Sequence, residues 1–502
     1  MTGEYWIKGG LVADAQDGTC ERRDLLIKDG VIAAVRPPGD RSDAGGAAAI
    51  HDASDCLVIP GLINAHTHGH ANLMKGVADR WSLEASLTNG PWLGGGRDPE
   101  IMYLSTLLGA VDMISKGCTA CFDLVYEFPR PSAAGMAAVA KAYADAGMRA
   151  VLAPMIADRS LFQAIPGLAG SLPADLRAQI GAATLAPGRE IVEAVASIAA
   201  AKDTLPPGIS LAIAPTIPHH CSDEFMLQCA ELADRHSLPI HMHIAESRLQ
   251  AVVARQLYGR TALKHLAELG ILRPGFVSAH SVWLDDGDLD LLAKHQAHVA
   301  HIPASNYRLG SGIAHIRPML ERGITVGLAT DGANSSDALN MFEAMRLASF
   351  SSRAFGPPRE RWLSARETFH AATVAGASIL GLPQCGRIVE GFAADITFLD
   401  LNNLNFIPLN DPFNQMVSAE DSSSVTDVMV GGRFVVKDGT VLMVDRGKLR
   451  SDIATAMERL APRIAQSRAL AQKLEPLVVA FADGLADSPL PIQRYVGAPQ
   501  AH

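Results

Sequence analysis

His66 and His68 stand one residue apart at the end of Pro60-Gly61-Leu62-Ile63-Asn64-Ala65-His66-Thr67-His68, directly after an apolar run. In an extended strand the side chains at i and i+2 share a face, so both imidazoles can meet one metal ion. Comparable groups recur. His241-Met242-His243-Ile244-Ala245-Glu246, Ala279-His280-Ser281 and Thr330-Asp331-Gly332 each close a later apolar run. Histidine and carboxylate from four strand ends, brought to one point, would bind a metal and leave a position for water and groups for proton transfer. His241 shares a face with His243 but lies deeper, where a hydrogen-bonded interior histidine is as reasonable as a functional one.

The elements that must position these groups can be read from the apolar pattern. Apolar, β-branched runs occupy residues 57–65, 119–125, 150–156, 209–214, 239–244, 276–279, 297–302 and 324–329. Helical spacing fills many of the intervals, as at 101–115, 132–146 and 337–351. Eight such units in order are what an α/β fold of the (β/α)8 barrel type requires, and that barrel places its chemistry at the carboxyl ends of its strands. The first sixty residues read differently, as short strands (5–7, 24–27 and 31–35) with a hairpin signal at Asp29-Gly30 and an exposed loop over 37–46. The same texture returns at 395–399 and 428–436. The expected division is therefore residues 1–60 and 385–445 as the two parts of a composite β-sandwich, 61–384 as the barrel, and 446–502 as a carboxyl-terminal helix and tail. Leu449, Ile453, Met457, Leu460 and Ile464 give that helix one apolar face, expected to pack on the barrel or on another subunit.

Composition narrows the function. Of 502 residues 48% are apolar and 19% charged, enough to build a sizeable core, and the net charge of -10 disfavours nucleic acid or an anionic membrane as partner. Met1 to Lys8 show no secretory pattern, and the charge-poor stretch 56–74 contains Pro60, Asn64 and three histidines, so no membrane span is expected. Seven sparse cysteines fit reduced thiols and a cytoplasmic protein, with Cys118 and Cys121 read as buried strand thiols.

The stretches quoted above, together with Pro303-Ala304-Ser305-Asn306-Tyr307-Arg308-Leu309-Gly310-Ser311-Gly312, closely resemble the amidohydrolase superfamily over roughly residues 5 to 440. The similar branch is that of the mononuclear aminohydrolases, which includes adenosylhomocysteine, guanine, 8-oxoguanine and isoxanthopterin deaminases and triazine hydrolases. The resemblance implies His66, His68, His243 and Asp331 as metal ligands. It implies Glu246 and His280 as the proton-handling and substrate-orienting pair, with Asp331 also accepting the proton of the attacking water. One divalent ion is expected, Zn²⁺ first and Fe²⁺ second, since the fourth strand ends Ala212-Ile213-Ala214-Pro215-Thr216 and has no lysine with which to bridge a second. The implied reaction is hydrolytic deamination of a nitrogen heterocycle of purine, pterin, pyrimidine or s-triazine type. The alternatives are hydrolysis of a urea, amide or carbon–halogen bond on the same site, or an inactive ligand-binding protein of the same fold. Relatives of this kind are commonly dimers or larger homo-oligomers.

The substrate wall departs from the relatives, many of which follow the first motif with Trp-Leu and then a glutamate. Here the stretch reads Trp81-Ser82-Leu83-Glu84 and continues to Pro91-Trp92-Leu93, which makes Trp81 and Trp92 candidate wall residues. The segment 158–189 is long enough to be a lid or a surface decoration, and its Phe162 could stack on a planar substrate. One of His219 and His220 is expected against the substrate, since adjacent residues cannot both face it. Asn306, with Ser305, could cradle polar atoms or serve a turn. His301, His315 and His370 read as structural, with His301 nearest to supporting the ligands.

Overall fold

The computed structural model describes residues 4–14, 16–39, 49–94, 97–182, 185–336 and 338–497, with no account of the side chains at 91–94 and 182. The barrel strands, in order, are Leu62–Thr67, Cys118–Val125, Arg149–Ile156, a fourth broken into Ile209–Leu211 and Ala214–Pro215, His241–Ile244, Val277–His280, His298–His301 and Val326–Leu328. All pair in parallel, in two arcs. The arcs meet at both seams. His241 N–H donates to Ile213 O (2.9 Å) between the fourth and fifth strands, and Asp331 N–H to His66 O (3.0 Å) between the eighth and first. The ring is thereby closed, and its strands end together at one mouth.

The apolar run 57–65 forms two strands that serve different sheets. Cys56–Pro60 pairs antiparallel with Ile396–Asp400, whereas Leu62–Thr67 opens the barrel. Gly61 is the switch: its N–H donates to Asp395 O (2.9 Å), while the next, of Leu62, donates to Gly117 O (2.9 Å). A Cβ on Gly61 would lie 2.2 Å from Thr119 Oγ1, so only glycine fits between the two sheets.

The end sheet has nine strands drawn from both chain ends, with Thr440–Val441 at one edge and Val31–Arg36 at the other. It curls until its outer hairpin turns meet. Ala394 N–H donates to Gly30 O (2.9 Å), and Gly432 N–H donates to Ala394 O (3.0 Å). Asp29 and Gly30 both have positive φ, as a two-residue hairpin turn requires. The curl encloses Ile7, Leu25, Ile27, Phe398 and Met429. Ala49–Asp52, too short to show alternation in sequence, adds a parallel strand to Tyr5–Asp14. Much of the loop expected over 37–46 falls outside the described residues. Cys118 and Cys121 are buried and free, and burial pushes the Cys118 thiol up to about 12, which leaves it inert.

Three helical features differ from the sequence reading. The helix expected from 337 begins at Met341, because the Asn340 side chain accepts the N–H of Phe342 (2.9 Å) and caps it. The segment 158–189 contains three short helices, Leu161–Ala164, Leu168–Ser171 and Ala174–Ala182. The carboxyl-terminal helix runs from Arg446 to Ala486, and beyond Leu449 and Ala456 its buried residues are Ala471, Leu474, Val478 and Ala482. Of the face expected to pack on the barrel or on another subunit, Met457 and Ile464 border an open groove with Ala461 and Ala465, because the helix leaves the barrel surface to cross its mouth. There Leu474, Val478 and Ala482 join Leu161, Leu168, Leu172, Leu249 and Val253 in a separate apolar cluster that roofs the site. Among the described residues no helix is long and apolar enough to cross a membrane.

Candidate active site

At the mouth, the ends of the first, fifth, sixth and eighth strands bring His66, His68, His243, His280 and Asp331 together. One ligand atom each from His66, His68 and His243 lies within 4.8 Å of the others, and the same holds for His66, His280 and Asp331. Sharp turns aim several of these groups inward: Ala245, His280, Ser281 and Asp331 all take positive φ, rare for residues with a side chain and often found at functional sites.

The hydrogen bonds fix which nitrogen each histidine offers. His68 Nδ1–H donates to Leu124 O (2.9 Å) and His243 Nδ1–H to Thr216 O (2.9 Å), so each leaves the lone pair of Nε2 facing the site. His68 Nε2 and His243 Nε2 are 3.3 Å apart. Behind them, His66 Nδ1 lies 3.1 Å from His241 Nε2, and the Phe122 ring meets His241 edge-on. His241 thus stands behind His66 and offers it an acceptor. Burial holds the His66 imidazole down to about 3 and those of His241 and His243 well below their usual range, which keeps the three neutral.

Asp331 is oriented through one oxygen. Its Oδ2 accepts from Ser305 Oγ (2.6 Å) and Ser335 Oγ (2.8 Å), while Oδ1 lies 3.2 Å from His68 Nε2 and 3.5 Å from His66 Nε2. Burial would raise this carboxyl, but the adjoining imidazoles of His66, His68 and His280 outweigh it and hold Asp331 well below the usual carboxylate range. His66 Nε2 and Asp331 Oδ1 are both buried without a hydrogen-bond partner, yet face each other. The converging imidazole nitrogens of His66, His68 and His243, with the ionised oxygen of Asp331, are a donor set that fits a divalent metal ion.

Glu246 stands beside this group, 2% exposed, with Oε2 3.5 Å from His280 Nε2. Burial, with repulsion from Asp331 and Glu84, pushes its carboxyl well above the usual range. A carboxyl raised in this way is of the kind that can hold and deliver a proton. His280 Nδ1–H donates to Asn306 Oδ1 (2.9 Å), which leaves Nε2 free to accept; burial, the largest influence on this imidazole, pushes it down.

A cavity of about 510 Å³ opens on His68, His243, Glu246, His280 and Asp331. Phe162 and His220 line it. His219, though buried, does not, so of the adjacent pair it is His220 that faces the chamber, with Nε2 lacking a partner and burial lowering it to about 4. Asn306 is not on the wall: the short helix Pro303–Arg308 turns it behind His280, where it orients that ring. Trp81 also lies off the cavity, and the Trp92 side chain lies outside the described residues. Three wall residues, His70, Tyr126 and Glu127, were not singled out from sequence. His70 continues the i, i+2, i+4 spacing of His66 and His68, a signal that could have found it; its ring centroid is 5.2 Å from that of His68.

A closed parallel barrel with this donor set and an adjacent buried carboxyl is the architecture of a metal-dependent hydrolase. The Amidohydrolase family profile matches residues 57–435, and the chain belongs to that family. The 5-methylthioadenosine/S-adenosylhomocysteine deaminase of Pyrococcus furiosus is 32% identical over 460 residues, covering 90% of this chain and 100% of that protein. The 5'-deoxyadenosine deaminase of Methanothermobacter thermautotrophicus is 32% identical over 441 residues, covering 88% and 94%. Among solved structures, a zinc-bound adenosine deaminase from Xanthomonas campestris superposes with a TM-score of 0.78 at 25% identity, covering 92% of this chain and 99% of that one. The zinc complex of atrazine chlorohydrolase TrzN from Arthrobacter aurescens TC1 gives 0.76 at 25% identity, covering 93% and 100%.

Proposed function

We propose that this protein removes an exocyclic amino group from a nitrogen heterocycle by hydrolysis, releasing ammonia or an amine. The observation that carries this reading is Glu246: a buried carboxyl 3.5 Å from His280 Nε2, raised by its surroundings above the usual range and placed to give a proton to a ring nitrogen of the substrate. A divalent ion on His66, His68, His243 and Asp331 would supply a water acidified from 15.7 towards ~7. The residues do the rest. Asp331 Oδ1 accepts the proton of the attacking water, and Ser305 and Ser335 keep that oxygen in place by binding the other. Glu246 protonates the ring nitrogen and makes the adjacent carbon electrophilic. His280, its tautomer set by Asn306, hydrogen-bonds the incoming oxygen. The proton taken by Asp331 then passes to the departing amine, and the proton left on the incoming oxygen returns to Glu246 as the carbonyl forms.

Zinc is the ion proposed, in line with the zinc in the similar structures. A cytoplasmic location accords with the free cysteines, and a homo-oligomer, dimer or larger, accords with the open face of Met457, Ala461 and Ile464; sedimentation would test the latter. The reading itself is tested by release of ammonia, amine or chloride from metal-replete protein across aminated and chlorinated purines, pterins, pyrimidines and s-triazines. Ammonia or amine release supports it. Release of chloride alone, or turnover confined to ureas or amides, would contradict it.

A further inference from the structure

The site has a wall that lies beyond the family-matched residues 57–435. The helix Arg446–Ala486 carries Ser467, Leu470, Ala471 and Leu474 onto the same cavity as His243, Glu246 and Asp331. It is fastened on both sides of that span. Before it, Leu449 and Ala456 are buried and Arg459 pairs with Glu100 (2.8 Å) and Asp98 (3.4 Å); after it, Val478 and Ala482 sit in the roof cluster. Other walls of the cavity are formed by Leu83, Leu87, Leu161 and Phe162. At about 510 Å³ the chamber falls in the ~300–1,000 Å³ range of pockets for drug-sized ligands, more than a bare aminated ring needs. What remains beyond the metal end is lined largely by carbon.

A sugar would need something else. In dinucleotide-binding folds the ribose hydroxyl is met by a carboxylate. Among the described residues on this cavity, the carboxylates are Glu127, Glu246 and Asp331. Glu127 already accepts the N–H and the Oγ–H of Ser132, each at 2.7 Å, and the other two belong to the reacting end. Glu84 is buried against Ser247 (2.9 Å) and does not reach the chamber.

We infer that the carboxyl-terminal helix selects an amino heterocycle bearing an apolar arm rather than a nucleoside, with Leu470 and Leu474 as the specificity-determining contacts. This rests on the deaminase reading above and names the substrate class for the same site. The arm lies between Leu470 and Leu474 on one side and Leu161 and Phe162 on the other, and the ring stands at Glu246. Arg130, Arg159 and Arg463 line the same cavity and would engage an arm that ended in a negative charge, which makes charge at the tip the competing possibility.

The test is kcat/KM of the metal-replete enzyme for amino-s-triazines with alkylamino arms from methyl to butyl, for one arm ending in carboxylate, and for adenosine and 5'-deoxyadenosine. Burial of each added methylene is expected to raise kcat/KM about fourfold, with the butyl compound above both nucleosides. Leu470→Ala should flatten that rise, and Leu470→Met should restore it, which separates a contact with the arm from a general loss of folding. A flat series, a nucleoside preferred over every alkylated ring, or a carboxylate-tipped arm preferred over its alkyl counterpart would overturn the inference while leaving deamination standing. No release of ammonia or amine from any compound would overturn both.

Discussion

Asp331 is held by two hydroxyls on one oxygen, and their removal has a size that can be worked out. Ser305 and Ser335 both donate to Oδ2, at 2.6 and 2.8 Å, in a buried setting, while Oδ1 is left facing His66 and His68. A hydrogen bond to a charged group contributes ~1.5–3 kcal/mol, which matches the ~10–100-fold in metal affinity typical of a residue that orients a ligand. With either hydroxyl still present Oδ2 keeps a donor, so Ser305→Ala or Ser335→Ala alone should weaken metal binding by the lower figure, about tenfold. The double substitution leaves Oδ2 buried with neither hydroxyl, and its loss should exceed the product of the single losses, more than about 100-fold. Competition with a chromogenic chelator measures the affinity, and urea unfolding of the metal-free variants checks that the fold is retained. Unchanged affinity in a folded double variant would refute Asp331 as a ligand oriented in this way.

Three further outcomes are expected. Glu246→Gln should keep its metal content and lose ~10²–10⁴-fold in turnover, read by metal analysis beside the rate of amine release; an unaltered rate would remove its assigned role. Asp288, buried and accepting from Thr261 (2.5 Å), is raised by burial to about 6. The folded state then holds its proton more tightly than the unfolded one, so stability should fall by up to ~3 kcal/mol as pH rises from about 4 to about 6. Asp288→Asn should remove that slope in urea titrations at several pH values. Leu168→Ala, in the roof cluster, should cost ~2–5 kcal/mol locally, seen as faster proteolysis between residues 161 and 182 with the barrel core still protected; equal loss of protection throughout would contradict a separate roof.

The convergence of His66, His68, His243 and Asp331 at the barrel mouth was legible in the sequence because its cues are local. Alternation puts His66 and His68 on one face, and an apolar run ending in His or Asp marks a strand end whatever the rest of the chain does. The division at Gly61 was not legible, since strands of both sheets are equally apolar there and only their partners differ. Asn306 and His220 show a similar limit. Each was a polar residue near a strand end, and only the direction taken by a short helix puts one behind His280 and the other on the wall. The roof depended on the most distant contacts of all, Leu474 and Val478 against Leu161 and Leu168, about three hundred residues apart in sequence. A helical period announces that such a face exists but carries no information about what it meets.

Titration of metal-free protein with zinc, followed by the rate of amine release from an alkylated amino heterocycle, tests the central claim most directly. The expected result is activity that rises linearly and saturates at one equivalent per chain, with His68→Ala failing to respond at that ratio. Full activity in the metal-free protein, or saturation at two equivalents, would contradict a hydrolase built on one ion at His66, His68, His243 and Asp331.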